Sequence, residues 1–169
     1  MAGFLFSDKR RKKEGEYLVV ILELDKRPDM LREAAEYFWK QWGSETNLPF
    51  YQNCVEHSLD PDNELPKFYV MLDDNQIIGT YALLRNDLIS RQDLYPWFAC
   101  LFVEPEYRGK QIGSQLLEHA KKQANAKGFK KLYLATYIEG YYEKYGWSYL
   151  EKGFGITGEP IKIYRSATE

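Results

Sequence analysis

The chain has 169 residues, 44% of them hydrophobic and 28% charged, a length that buries a majority of the unfolded surface in one core and a balance that excludes a disordered polypeptide. The formal net charge is -2, and Lys9, Arg10, Arg11, Lys12 and Lys13 stand together near the start, so the remainder is more acidic still. A body of that charge argues against a duplex-binding surface, because phosphate contacts need Lys and Arg clustered on the folded domain.

Residues 1–15 read as a basic, solvated N-terminal tail and residues 16–169 as a single domain, with neither an internal repeat nor a low-complexity linker. Residues 1–6 are apolar but too short for a signal-peptide core, and the positive charges follow them instead of preceding them. No stretch approaches the ~18 apolar residues of a membrane span. The expectation is a cytoplasmic protein, monomer or homodimer, with no membrane and no nucleic acid among its partners. Cys54 and Cys100 have no local pairing pattern and are expected as free thiols.

Residues 17–24 form a β-branched, apolar run that predicts a first strand. Met30, Leu31, Ala34, Ala35, Phe38, Trp39 and Trp42 recur at three- and four-residue spacing, which places one apolar face on a helix ending near Gly43. A weaker helix is predicted over 50–59. Residues 58–66, with Asp60, Pro61, Asp62, Asn63 and Glu64, read as a loop. The β-prone runs 68–72 and 77–84 flank Asp73-Asp74-Asn75-Gln76, which is hairpin chemistry. Residues 97–103 are almost wholly apolar, as suits a strand covered on both faces at the sheet centre.

From Ile112 the pattern is helical, with Leu116, Leu117, Ala120 and Ala124 on the same face and Gly128 at the C-terminal end. Residues 132–137 predict a strand, 140–145 a short helix, and 148–154 and 161–165 the closing strands. A strand–helix–strand crossover between hairpins makes the sheet mixed. The class is therefore α+β (mixed α/β), with helices on both faces.

The chemistry concentrates where a buried strand ending in Leu101, Phe102 and Val103 passes through a tight loop into a helix. The first N–H groups of a helix lack internal partners and carry partial positive charge, so such a junction attracts phosphate. Gly109 and Gly113 let backbone come close, Arg108 and Lys110 add full charges, and successive N–H groups can form a nest. Taken alone, Arg-Gly-Lys reads better as an exposed turn, with Gly113 easing helix packing. The loop follows neither G-x-G-x-x-G nor G-x-x-x-x-G-K-[ST], so kinase and dehydrogenase chemistry are not indicated.

Val103-Glu104-Pro105-Glu106-Tyr107-Arg108-Gly109-Lys110-Gln111-Ile112-Gly113, set between strand and amphipathic helix, resembles the acetyl-CoA motif of GCN5-related N-acetyltransferases (GNAT). Tyr141-Tyr142-Glu143-Lys144-Tyr145-Gly146-Trp147 resembles that family's second signature, at the expected distance. Gln111 departs from the Arg/Gln-x-x-Gly-x-Gly/Ala pattern, standing where glycine is usual.

The resemblance implies a central mixed, mostly antiparallel sheet of about seven strands with helices on both faces. It implies acetyl-CoA as cosubstrate, its pantetheine arm on Leu101, Phe102 and Val103 and its pyrophosphate on Arg108, Gly109, Lys110, Gln111, Ile112 and Gly113, with Ser114 one position on. A primary amine would attack the thioester directly, and Tyr142 would protonate the leaving sulfur. Tyr141 and Tyr145 read as packing residues.

The general base stays unassigned. Tyr95 occupies the position where some relatives carry Glu, and the nearby carboxylates Asp93 and Glu104 read as a surface turn and a loop start, no better than a water chain. The loops around the first helices carry Trp39, Trp42, Tyr51, Asp60, Asp62 and Glu64, which suit a cation and equally a solvated helix-loop region. A small-molecule or peptide amine is expected, with polyamine, aminoglycoside, amino acid and protein N-terminus all open. The alternative is a non-catalytic acyl-CoA-binding or interaction module of the same fold, against which the retained Tyr142 argues. Cys54, His57 and His119 supply too few soft ligands, so no metal is expected. Cys100 has no nearby His and reads as core packing.

Overall fold

The computed structural model describes residues 19–169; the basic run at 9–13, and Tyr17 and Leu18 of the first expected strand, lie outside the described residues. The elements are β1 (Val19–Glu23), α1 (Leu31–Trp42), α2 (Leu48–Glu56), β2 (Lys67–Asp73), β3 (Gln76–Leu84), β4 (Trp97–Val103), α3 (Ile112–Ala126), β5 (Lys131–Thr136), β6 (Ser148–Phe154) and β7 (Pro160–Ala167). They build one seven-stranded sheet in the order β1-β2-β3-β4-β5-β7-β6. Every neighbouring pair is antiparallel except β4 with β5. This is the mixed, mostly antiparallel sheet that the crossover unit and its flanking hairpins require.

Alternation along β2 assigns the two layers. Phe68, Val70 and Leu72 face Ala34, Ala35 and Phe38 of α1 and Val55 of α2, while Tyr69 and Met71 face Leu116, Leu117 and Ala120 of α3. A strand covered on both faces has no solvent side, which is why its burial is nearly unbroken along its length. Each such side chain contributes about 1.5–3 kcal/mol by leaving water.

Two predicted elements need correction. The second helix starts two positions earlier than the 50–59 expectation, at Leu48 with a proline in its first turn, and stops three positions earlier, at Glu56. Ser58 Oγ then donates to the Val55 carbonyl at 2.7 Å, which turns the chain out of the helix before Leu59. The helix expected over 140–145 is only a 3-10 turn, Tyr142–Tyr145. A segment that short gains too few i to i+4 bonds to form an α-helix and closes with tighter ones instead.

The end of α3 is as its sequence demands. Phe129 N–H donates to the Ala124 carbonyl at 3.0 Å and Gly128 N–H to that of Asn125 at 2.9 Å, the paired bonds of a Schellman motif, with Gly128 at φ 88.

β4 carries the feature on which the site depends. It pairs with β5 at one register position, Trp97 with Tyr133, where Tyr133 N–H donates to the Pro96 carbonyl at 3.0 Å. Beyond that rung the two strands part. On its other edge β4 has a bulge opposite Thr80 to Ala82, with Cys100 in a left-handed conformation at φ 56 and the Thr80 hydroxyl donating to its carbonyl at 3.0 Å.

Candidate active site

A cavity of about 930 Å³ opens between the parted strands. Phe98, Ala99, Cys100 and Leu101 of β4 form one wall, and Leu134, Ala135 and Thr136 of β5 another. Phe50, Tyr51, Asn53 and Cys54 of α2 close the side, with the β3–β4 loop from Arg85 to Leu88 at the mouth. Among the described residues, the β4 edge that faces β5 has no ladder partner past Trp97, which leaves backbone groups there for an extended ligand, although the Val103 carbonyl is engaged by the Arg108 side chain.

At the C-terminal end of β4 the chain makes a 3-10 turn, Pro105–Tyr107, and enters α3. Gln111 is the N-cap residue and makes no side-chain cap bond, and no acidic residue lies in the first turn. The leading N–H groups of this helix, those of Ile112, Gly113 and Ser114, thus have neither an intrahelical acceptor nor a capping side chain, which leaves them directed outward as anion donors. Gln111 holds φ 62, the left-handed region where a glycine carries no Cβ penalty. The family pattern's glycine and this chain's Gln therefore meet the same backbone demand.

The other loop residues are placed less uniformly than the sequence suggests. Gly109, at φ 76, has open space where a Cβ would stand. The Arg108 side chain folds back, Nε donating to the Val103 carbonyl at 2.9 Å and the guanidinium lying 5.5 Å from the Phe102 ring centre. Lys110 Nζ sits 5.1 Å from the Tyr107 ring centre. Ile112 is buried, only 5% exposed, so it offers its backbone and not its side chain. The Ser114 hydroxyl donates to the Gln111 carbonyl at 2.8 Å, bracing the loop.

Tyr142 lines the cavity and is buried. Burial, with Tyr141 beside it, pushes its phenol up to about 12, and the Thr136 side chain is its polar neighbour. At neutral pH it is therefore a protonated donor in a largely dry site. Tyr141 and Tyr145 pack on each other with ring centres 5.2 Å apart.

Of the carboxylates weighed from sequence, none lines the cavity. Asp93 is held by Arg91 at 2.6 Å, and Glu104 accepts from the Tyr37 hydroxyl at 2.5 Å. Asp60 is spent on its own loop, accepting from the Asp62 N–H at 2.9 Å and from Asn63 at 2.8 Å. Asp62 and Glu64 are likewise outside the cavity, so the acidic loop is not its wall, whereas Trp42 and Tyr51 are. Tyr95 is exposed and packs on Phe129.

The carboxylate that does line the cavity is Asp87. Asn86 Oδ1 accepts the Leu88 N–H at 2.7 Å, an Asx turn that holds Asp87 between them. Asp87 makes no hydrogen bond or ion pair with another described residue, and desolvation pushes it up to about 7. It is close enough to Tyr51 and Cys100 to raise both. The Cys100 thiol is driven up mainly by burial, which suits a wall and not a nucleophile. Both cysteines are free thiols. Among the described residues no three His, Cys, Asp or Glu side chains converge as metal ligands, and no helix is long and apolar enough to cross a membrane.

A family model described as acetyltransferase (GNAT) domain matches residues 64–149, from the loop before β2 into β6. The chain belongs to the GNAT acetyltransferase family. The amino-acid acetyltransferase of Shewanella oneidensis is 34% identical over 73 residues, 43% of this chain but only 16% of that protein. Among solved structures, an aminoglycoside 6'-N-acetyltransferase complexed with coenzyme A superposes with a TM-score of 0.67 at 16% identity, covering 89% of this chain and 97% of that one. The aminoglycoside 6'-N-acetyltransferase from Enterococcus faecium gives 0.67 at 17% identity, over 89% and 97%. A spermidine N-acetyltransferase chimera built in part from Vibrio cholerae gives 0.61 at 19% identity, over 89% and 95%. At these identities the likeness is one of fold. GNAT proteins use acetyl-CoA, and the open β4 edge and uncapped α3 fit an elongated ligand ending in phosphates.

Proposed function

We propose that this GNAT protein transfers the acetyl group of acetyl-CoA to a primary amine. The observation that carries the reading is that Tyr142 lines the cavity walled by the β4 segment Phe98 to Leu101, whose edge toward β5 is unpaired, and that the same strand leads through one short loop to the uncapped start of α3. Backbone N–H groups from Gln111 to Ser114 would hold the pyrophosphate, with Gly113 allowing close approach and Arg108 and Lys110 supplying charge at the exposed rim. Leu101, Phe102 and Val103 would pair with the pantetheine amides.

When bound, acetyl-CoA supplies an activated acyl carbon, and the net change is an N–acyl bond gained, a C–S bond lost and one proton passed from nitrogen to sulfur. Tyr142 holds the proton that the departing sulfur takes, and its burial keeps that proton in place until then. The apolar walls exclude water that would otherwise compete with the amine.

The solved relatives in the comparison are named for aminoglycosides and spermidine, and the sequence relative for amino acids, so amine acceptors of small size support the reading. The decisive experiment is calorimetric titration with CoA and acetyl-CoA, followed by a thiol-release assay with a panel of amines and mass spectrometry of the products. Acetylated amine appearing in step with free thiol is the expected result. Tight acetyl-CoA binding with no thiol released over background by any amine would leave a binding module instead.

A further inference from the structure

We infer that the acceptor is an apolar molecule with a single primary amine, its ammonium seated on Asp87 and its body against the aromatic wall, and not a polycation. The inference rests on the acetyl-transfer reading and names its substrate class.

Among the described residues that line the cavity, Asp87 is the one carboxylate. It makes no hydrogen bond or ion pair with another described residue, and its neighbours there are Tyr51 and Cys100, neither of which can neutralise it. A desolvated carboxylate without a partner is costly, and an ammonium arriving from solvent removes that cost. The aromatic face of Tyr51 beside it adds a weaker attraction for the same cation.

The rest of the described lining holds no second carboxylate for another ammonium; its polar side chains include Asn53, His57, Asn86 and Thr136. Trp42, Phe50, Leu88 and Ile138 contribute apolar surface, and Phe50, Leu88 and Ile138 are more than half exposed through the opening, as surfaces that a hydrophobic body would cover. Arg85 is the one Lys or Arg among the described residues of the lining. It is exposed and makes no ion pair with another described residue, and it lies two positions from Asp87 on the same loop. A polyamine or aminoglycoside would place an extra positive charge beside an unneutralised guanidinium, a like-charge contact that discriminates against it.

The test compares kcat/KM for phenethylamine, hexylamine and phenylalanine with that for spermidine and tobramycin at saturating acetyl-CoA, on the parent protein and on Asp87→Asn. At least one monoamine should exceed both polycations by ~10-fold or more, and Asp87→Asn should raise the KM of that amine by at least ~10-fold while the acetyl-CoA KM stays within about twofold. A merely structural Asp87 would move both constants together. Faster acetylation of spermidine or tobramycin, no acetylation of any monoamine by protein that binds acetyl-CoA, or an unchanged amine KM in Asp87→Asn overturns the inference and leaves acetyl transfer standing. Failure to bind acetyl-CoA at all overturns the underlying reading with it.

Discussion

The Tyr141 hydroxyl lies 2.5 Å from the point where a Cβ on Gly113 would stand, while the next ring atom, Cζ, is 3.8 Å away. The start of α3 is therefore kept bare by a tyrosine from the second signature segment, and one oxygen makes the clash. Gly113→Ala should lower both the melting temperature and acetyl-CoA affinity, because the Tyr141 ring must swing aside. Adding Tyr141→Phe should restore much of the melting temperature, since the remaining ring carbon makes an ordinary contact. Thermal melts of the four members of this cycle check the coupling, and additive effects would show that the contact carries no energy.

Tyr142→Phe keeps the ring and deletes the proton. General acid catalysis is worth about 10²–10⁴-fold, and a thiolate is a fair leaving group, so turnover should fall by about 10²-fold with acetyl-CoA affinity within a few-fold. Tyr141→Phe and Tyr145→Phe, which alter packing residues, should change the rate far less. Steady-state kinetics across pH 6 to 9 is the measurement, and parent-like turnover in Tyr142→Phe would move the proton to another group.

The raised Asp87 sets the sign of a pH effect on stability. Its folded value, about 7, is above an unfolded carboxyl of about 3.9. Between the two the unfolded chain releases the proton while the folded one keeps it, so stability is full below the lower value and is lost as pH rises to the upper one. The unliganded Asp87→Asn variant should match the parent near pH 4, gain on it steadily to pH 7 and keep a constant lead above that. Melting temperatures over pH 4 to 9 read this directly. A lead that shrank with rising pH would contradict the assignment.

Gln111→Gly should stabilise the protein by ~1 kcal/mol, because a glycine meets φ 62 without the Cβ penalty. Denaturant midpoints measure it, with acetyl-CoA affinity expected within about threefold because the backbone N–H is retained. A destabilised Gln111→Gly would mean that the side chain contributes more than its strain costs.

The parts that were legible in sequence are those where a local pattern decides the outcome. The apolar run of β4, the amphipathic face of α3 and Gly128 after it each follow from residues a few positions apart. The loop from Arg108 to Gly113 was readable for the same reason. Asp87 was not, since Arg85-Asn86-Asp87 has the composition of any solvated turn, and its desolvation is created by α2 and β4, distant in the chain. Asp60, Asp62 and Glu64 are the opposite case: an acidic loop beside an aromatic helix has the composition of a cation site and of a solvated loop alike, and the structure leaves all three outside the cavity, with Asp60 accepting from the Asp62 N–H and the Asn63 side chain. The left-handed turn at Gln111 was hidden as well, for no side chain announces a positive φ in the way glycine does.

A sheet whose middle is held by one rung divides into β1–β4 and β5–β7, and its hydrogen-bond ladder does little to make the two parts unfold together. What joins them is the side-chain layer beneath α3, where Leu116, Leu117 and Ala120 share one cluster with Ile78 and Tyr81 of the first part and Leu132 and Leu134 of the second. A second cluster, in which Ile89 and Trp97 of the first part pack with Ile163 of the second, adds to it, so cooperativity in this protein resides in buried side-chain contacts. The split that makes room for a substrate thus shifts the task of keeping the molecule a single folding unit from the sheet's own ladder to the side chains packed across it.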